Sequence, residues 1–89
     1  MPDDILIKLK EERALVEKLL IEAKKSCEDA EIVLDALKPY FDKVDKMNQY
    51  RPIGSIKLER FMLESPLSND MALFNCYGRF ANLVEGLTV

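Results

Sequence analysis

The chain has 89 residues, 48% of them hydrophobic and 33% charged, a balance typical of one globular domain over residues 1–89. Thirteen Lys and Arg stand against sixteen Asp and Glu, for a net charge of −3, and histidine and tryptophan are absent. Without histidine there is no ordinary general base at neutral pH, and without a basic excess there is little to attract a phosphate backbone. We therefore expect no enzymatic activity, no catalytic residues, no cofactor and no nucleic-acid partner.

The acidic charge is concentrated in the first half of the chain. Residues 1–45 carry eight basic and twelve acidic side chains, a net −4, whereas residues 46–89 carry five and four, a net +1. No apolar run approaches the roughly 20 residues of a membrane-spanning helix, and the chain does not open with a secretory signal pattern. We expect a cytoplasmic protein with no membrane partner.

The first half also has a heptad pattern. Residues taken alternately three and four apart through Leu6–Val44 are apolar, with the single exception of Arg13. Good helix formers dominate, and neither Gly nor Pro occurs between Asp3 and Pro39. The pattern predicts one long amphipathic helix that begins at Asp3 or Asp4, where a carboxylate can accept bonds from free backbone N–H groups.

Two features test the continuity of this helix. The segment Ser26–Asp29 has the form of a capping box and would start a second helix. The apolar phase nevertheless runs through Ser26 without a slip, so a continuous helix is the preferred prediction. Pro39 lies on the face opposite the apolar seam, so we expect a kinked continuation to about Asn48.

A helix of this length suggests pairing with a second copy of the chain. About 45 helical residues would extend close to 70 Å, whereas a compact domain of this size is only about 30 Å across. The flanking charges alternate in sign and would match in an antiparallel homodimer centred near Cys27; they are Lys10, Glu17, Lys24, Glu31, Lys38 and Asp45. The predicted helix-pairing interface consists of Val16, Leu20, Ala23, Cys27, Ala30, Leu34, Leu37 and Phe41.

The alternative is that these charges form a solvated helix face. In that case the seam is covered within one chain, and Gly78 and Ala81 of the last helix lie against small seam residues such as Ala23 and Ala30. Glycine weakens a helix, so a close crossing would give Gly78 a packing role.

The second half predicts shorter elements separated by clear punctuation. Tyr50–Ser55 contains Pro and Gly and reads as a loop, followed by a short helix over residues 56–64 that Ser55 would cap. A brief alternation after Ser55 leaves a strand open as the alternative for this segment. Ser65 followed by Pro66 predicts another helix start, and Ser68, Asn69 and Asp70 offer caps for the helix after it.

The last predicted helix runs over residues 69–85 and ends at Gly86, a natural left-handed terminator. It is apolar around most of its circumference, so it must be covered on more than one side. Its aromatic side chains are first of all core candidates. If exposed, they would form a partner groove made of Phe61, Met62, Phe74, Tyr77 and Phe80.

Few residues carry recognisable chemistry. Cys27 and Cys76 fall at apolar positions and read as buried thiols, and two distant cysteines without histidine make no zinc site, so we expect no bound metal. The most site-like stretch is a weak anion site of Arg51, Ser55 and Lys57, where a helix start would offer free N–H groups.

We therefore predict an all-α fold, with a long N-terminal helix packed against two or three shorter helices in a dimer. The predicted function is a small protein–protein interaction module, such as an adaptor, chaperone, complex subunit or inhibitor, whose partner is another protein. The alternative is a helical protein that senses a small ligand or anion through Tyr50–Lys57.

Overall fold

The protein is a helical bundle, described by a computed structural model over residues 4–86. Within those residues there are α-helices and one 3-10 turn but no strand, so the all-α prediction is confirmed. The elements are α1 Asp4–Ala23, α2 Asp29–Asp45, α3 Glu59–Glu64, the 3-10 turn Pro66–Asn69 and α4 Met71–Glu85. The long N-terminal helix α1 packs against both α2 and α4. Asp3, the other predicted helix start, lies outside the described residues.

The prediction of one continuous N-terminal helix is wrong, because the chain turns at Lys24–Glu28. The backbone amides of Ser26 and Cys27 both bond to the carbonyl of Ala23, at 3.0 and 2.9 Å, and this closes the end of α1. Helix α2 then begins at Asp29, inside the capping-box segment. A single rod is replaced by a hairpin, and the described chain measures 40 × 21 × 19 Å.

The hairpin buries the same apolar seam that the rod would have exposed. Both arms carry apolar residues in one heptad phase, so folding α2 back on α1 brings the two halves of the seam together. Burying this surface within one chain removes it from water without requiring a second molecule.

Pro39 lies inside α2, which continues to Asp45 as a helix, close to the predicted end. Proline has no N–H to donate to the carbonyl of Asp35, one turn earlier. Both residues are on the exposed side of α2, where water can bond to that carbonyl. The predicted continuation through Pro39 is therefore confirmed.

The loop that follows α2 caps the end of α4. The N–H groups of Ile53 and Gly54 donate to the carbonyl of Val84 at 2.7 and 3.1 Å, and the Tyr50 hydroxyl donates to the carbonyl of Leu83 at 2.5 Å. Carbonyls in the last turn of a helix have no partner within it, so the loop satisfies them. Gly86 ends α4 with φ of +88°, as predicted.

Local capping chemistry is largely where the sequence predicts it. The Ser65 Oγ accepts from the Leu67 N–H at 3.1 Å and donates to Asp29 of α2 at 2.8 Å. Asp70 caps α4 by accepting from the Leu73 N–H at 3.1 Å. The short helix α3, however, begins at Glu59 and not at residue 56, so residues 56–58 are irregular and are neither helix nor strand.

Candidate functional site

The predicted helix-pairing residues lie in the interior of a single chain. Ala23 and Cys27, next to the turn, are half-buried. The other six are buried: Val16, Leu20, Ala30, Leu34, Leu37 and Phe41. Because these side chains are already covered, they are not available to a second molecule without opening the hairpin.

Four of the six alternating charges lie beside one cleft of the hairpin. A cleft of about 190 Å³ lies between α1 and α2, and its rim includes Glu17, Lys24, Glu31, Asp35 and Lys38. Ile21, Leu34 and Phe41 supply its apolar part. The two arms run antiparallel and bring these charges to one cleft, but none of the four forms an ion pair across the cleft in residues 4–86. Lys38 Nζ lies 3.3 Å from Asp35 Oδ1 on its own helix.

Arg13, the one polar residue on the seam, lies where α1 contacts the end of α2. Its guanidinium bonds to Glu17 at 2.5 Å and to Asp45 of α2 at 2.9 Å. The guanidinium carbon is also 4.7 Å from the centroid of the Phe41 ring, a cation–π contact. The polar interruption of the seam is therefore a link between the hairpin arms.

Glu12 is a charged residue whose burial the sequence does not predict. It is 8% exposed in the α1–α4 interface, where Oε2 accepts from Arg79 Nε at 2.6 Å. Cys76 Sγ lies 3.4 Å from its other oxygen. Burial, with the nearby Glu12 carboxylate, raises the pKa of the Cys76 thiol to about 12, so this thiol stays protonated and is a poor nucleophile.

The predicted partner groove is mostly filled by its own side chains. Met62, Tyr77 and Phe80 are buried, and Phe61 and Phe74 are half-buried against the core. Burial raises the pKa of Tyr77 to about 12 against a smaller opposing effect of the Leu58 backbone, and its hydroxyl makes no well-formed hydrogen bond among the described residues. These aromatic residues therefore serve chiefly as core.

The predicted close crossing at Gly78 is not found. A Cβ built on this residue would meet no side chain or neighbouring element within 4 Å in residues 4–86. Ala81 is buried, so α4 is covered on one side, but the surface at Gly78 stays open.

The predicted anion-site residues Arg51, Ser55 and Lys57 are all exposed. The nearby helix begins at Glu59, so its N-terminal N–H groups are not at Ser55. The Ser55 carbonyl instead accepts from the Tyr40 hydroxyl at 3.3 Å. The helix start on which this site depended is therefore displaced from it.

The outward face of α1 carries an apolar row that the core does not use. Ile7, Ala14 and Ile21 are spaced seven residues apart, which places them on one face of the helix over about 21 Å. All three are exposed; Ile7 is 56% and Ile21 49% accessible. We refer to Ile7, Ala14 and Ile21 as the α1 row.

Charged residues flank the α1 row on both sides. Positions three residues beyond Ile7 and Ala14 are Lys10 and Glu17, and positions four residues beyond them are Glu11 and Lys18. Helix geometry places the first two on one side of the row and the other two on the opposite side. Each side therefore carries one positive and one negative charge.

No protein-family model, curated protein or solved structure matches the chain. In the part of the chain that the structure describes, no helix has both the length and the apolar character to cross a membrane. Nor do three or more side chains of His, Cys, Asp or Glu come together there as metal ligands.

Proposed function

We propose that this chain is a small cytoplasmic protein–protein interaction module that holds another protein through the α1 row and carries out no chemistry itself. The observation that carries the proposal is the apolar row on the outward face of the longest helix in residues 4–86. An adaptor, a chaperone, a complex subunit or an inhibitor would each use such a face.

Spacing is the main support for a binding role. Single exposed apolar residues are common on soluble proteins and need no explanation. Here four of the seven large exposed apolar side chains in the described residues are on α1, and two of them, Ile7 and Ile21, belong to the row. Apolar positions repeated at seven-residue intervals are the pattern by which one helix anchors to another.

The composition of the row supports the same role. Isoleucine is a poorer helix former than the charged residues common elsewhere on α1, so helix stability alone does not favour Ile7 and Ile21. Their exposure to water adds no stability to the isolated chain. Contact with a partner would bury both side chains and return their hydrophobic free energy.

The two cysteines support the proposed compartment. Cys27 and Cys76 are both free, which fits a reducing cytoplasm. No contact or distance in residues 4–86 favours the anion-sensing alternative at Arg51, Ser55 and Lys57.

A photo-crosslinking amino acid placed at Ala14 tests the proposal in cells to which the chain is native. Ala36 is the matched control, because it is also an exposed alanine on a helix but lies on α2. We expect a defined crosslinked species from position 14 and none from position 36. The species should disappear when Ile7 and Ile21 are both changed to Lys.

Two results would contradict the proposal. One is the absence of any crosslinked species from position 14 in a folded chain. The other is an equal yield from positions 14 and 36, which would indicate random collision.

A further inference from the structure

We propose that the partner of the α1 row is a second copy of this chain, bound through α1 in antiparallel orientation about a two-fold axis at Ala14. This inference rests on the proposed function, because it uses the same surface. It differs from a dimer through the buried seam, since the hairpin stays closed in both copies.

The apolar row is symmetric about its centre. With the axis at Ala14, the alanine of one copy faces the alanine of the other, and Ile7 of each copy faces Ile21 of the other. The small central residue allows the helix axes to approach to about 8 Å, while the isoleucines fill the space at each end. Both isoleucines are thereby removed from water.

The flanking charges are complementary in this arrangement. A two-fold axis that lies in the interface brings each side of the row against the same side in the second copy. Lys10 then meets Glu17 of the second copy on one side, through the carboxylate oxygen that Arg13 does not bind, and Glu11 meets Lys18 on the other. The symmetry repeats both pairs, so four opposite-charge contacts form and no like charges oppose.

The same register continues to the end of the helix. Asp4 in the first turn of one copy falls opposite Lys25 just beyond α1 of the other. Exposed ion pairs contribute little affinity and mainly set the register. A parallel pair would also place Lys10 against Glu11, but it would bring Lys24 against Lys25, so the end of the helix favours the antiparallel orientation.

The cleft beside α1 gives a second reason for this placement. Ile21 lies at the mouth of the cleft between α1 and α2, together with the charged residues Glu17 and Lys24. Ile7 of the second copy would reach Ile21 and cover that mouth. Ile21, the one exposed apolar residue of the cleft, then gains an apolar contact.

The contact is small, so the dimer is reversible. One exposed helix face about 30 Å long is at the low end of specific protein interfaces. We expect a dissociation constant on the order of 10 μM, in the range of weak reversible complexes.

Complementary charge reversals test both the dimer and its orientation. Glu11→Lys alone should place Lys opposite Lys18 twice, and Lys18→Glu alone should place Glu opposite Glu11 twice. Each variant should therefore be monomeric by sedimentation equilibrium, while an equal mixture of the two should form a heterodimer. A parallel pair would not recover on mixing, because residue 11 would then face residue 10.

Lys43→Glu is the matched control, since Lys43 is exposed on α2 away from the row and this variant should dimerise like the parent chain. Far-ultraviolet circular dichroism checks that each variant is folded. Ala14→Cys in a Cys27→Ser background gives an independent readout: oxidation should yield a disulfide-linked dimer, whereas Ala36→Cys should not.

A monomeric parent chain at concentrations of several hundred micromolar, with no disulfide-linked dimer from Ala14→Cys, would overturn self-pairing. If position 14 still crosslinks to a different protein in cells, the proposed function stands and only this inference fails. If mixing the two charge variants restores no dimer although the parent dimerises, the antiparallel register is wrong.

Discussion

Glu12 of α1 and Arg79 of α4 form an ion pair in which Oε2 lies 2.6 Å from Nε. The carboxylate is buried, whereas the guanidinium is accessible to water. The Glu12 side chain is 10% exposed, whereas that of Arg79 is 46% exposed. Removing Arg79 therefore leaves a carboxylate in the interface without its charge partner, while removing Glu12 leaves a guanidinium that water can solvate.

We expect the two halves of this pair to respond unequally to substitution. Arg79→Met should lower the free energy of unfolding by about 2 kcal/mol, because an unpaired carboxylate would remain buried. Glu12→Met should change it by less than about 1 kcal/mol, because a methionine of similar size suits the apolar interface. Urea denaturation at pH 7 measures both values. Equal losses of unfolding free energy in the two variants would contradict the difference in exposure between Glu12 and Arg79.

Tyr77 should be replaceable by phenylalanine at neutral pH without loss. Among residues 4–86, the only hydrogen-bonding group near its buried hydroxyl is the Leu58 backbone, which is not placed for a well-formed hydrogen bond, so Tyr77→Phe should leave stability unchanged or raise it by up to about 1 kcal/mol. Thermal and urea unfolding at pH 7 measure the change. A clear loss would mean that the hydroxyl has a partner in solution.

The same substitution should alter the response to alkali. Burial raises the pKa of Tyr77 from 10.0 to about 12, so the folded chain holds this proton more tightly than the unfolded chain does. The associated stability is present below pH 10 and is lost as pH rises towards 12. The urea midpoint of the parent chain should fall more steeply over that range than the midpoint of Tyr77→Phe. If the urea midpoints of the two chains fell in parallel with pH, the raised pKa of Tyr77 would be contradicted.

The two C-terminal glycines should respond in opposite directions to alanine. Gly78→Ala should stabilise α4 by about 0.5–1 kcal/mol, because it removes a flexible helix residue from an open position. Gly86→Ala should destabilise the protein by at least about 1 kcal/mol, because φ is +88° and the new Cβ would lie 2.9 Å from Pro52 Cγ. Thermal melts of both variants test the contrast. A destabilising Gly78→Ala would indicate an undetected close contact.

The two thiols should differ sharply in reactivity. Cys27 is half-buried at the hairpin turn, whereas Cys76 is buried and its pKa is raised to about 12. A thiol-specific chromogenic reagent at pH 8 should label one cysteine per folded chain and two per chain in denaturant. In Cys27→Ser the remaining thiol, Cys76, should react only as fast as α1 and α4 separate. Rapid labelling of both cysteines in the folded chain would contradict the burial of Cys76.

The sequence predicts local features well because their causes lie within a few residues. The cap at Ser65, the cap at Asp70 and the left-handed end at Gly86 each depend on one side chain, or its absence, at a helix end. The predicted start of α3 at residue 56 is wrong. The helix begins at Glu59 without a side-chain cap, since Leu58 occupies the N-cap position, so the sequence contains no local signal for this start.

The hairpin was missed for a different reason. An antiparallel pair of helices buries the same seam whether its two helices belong to one chain or to two. The heptad phase therefore does not distinguish a hairpin from a dimer. The sequence predicted Asp45 opposite Lys10 of a second copy, and the fold places Asp45 against Arg13 of its own chain. Only the turn at residues 24–28 distinguishes them, and its capping-box signal was outweighed by the unbroken phase.

Glu12 shows what a local pattern does not contain. It occupies an apolar-face position, but its partners Cys76 and Arg79 are more than 60 residues away in sequence. The sequence does not predict the α1 row either. Ile7, Ala14 and Ile21 lie outside the heptad seam, and only the structure shows that the core forms without them.

Sedimentation equilibrium of the parent chain and of Ile21→Lys, over concentrations from about 1 to 500 μM, tests the role of the α1 row most directly. The account predicts that the parent mass rises towards two chains with concentration while Ile21→Lys stays at one. Ile32→Lys, an equally exposed isoleucine on α2, should behave like the parent. A parent chain that remains monomeric throughout, or an Ile21→Lys variant that dimerises as well as the parent, would contradict pairing through α1.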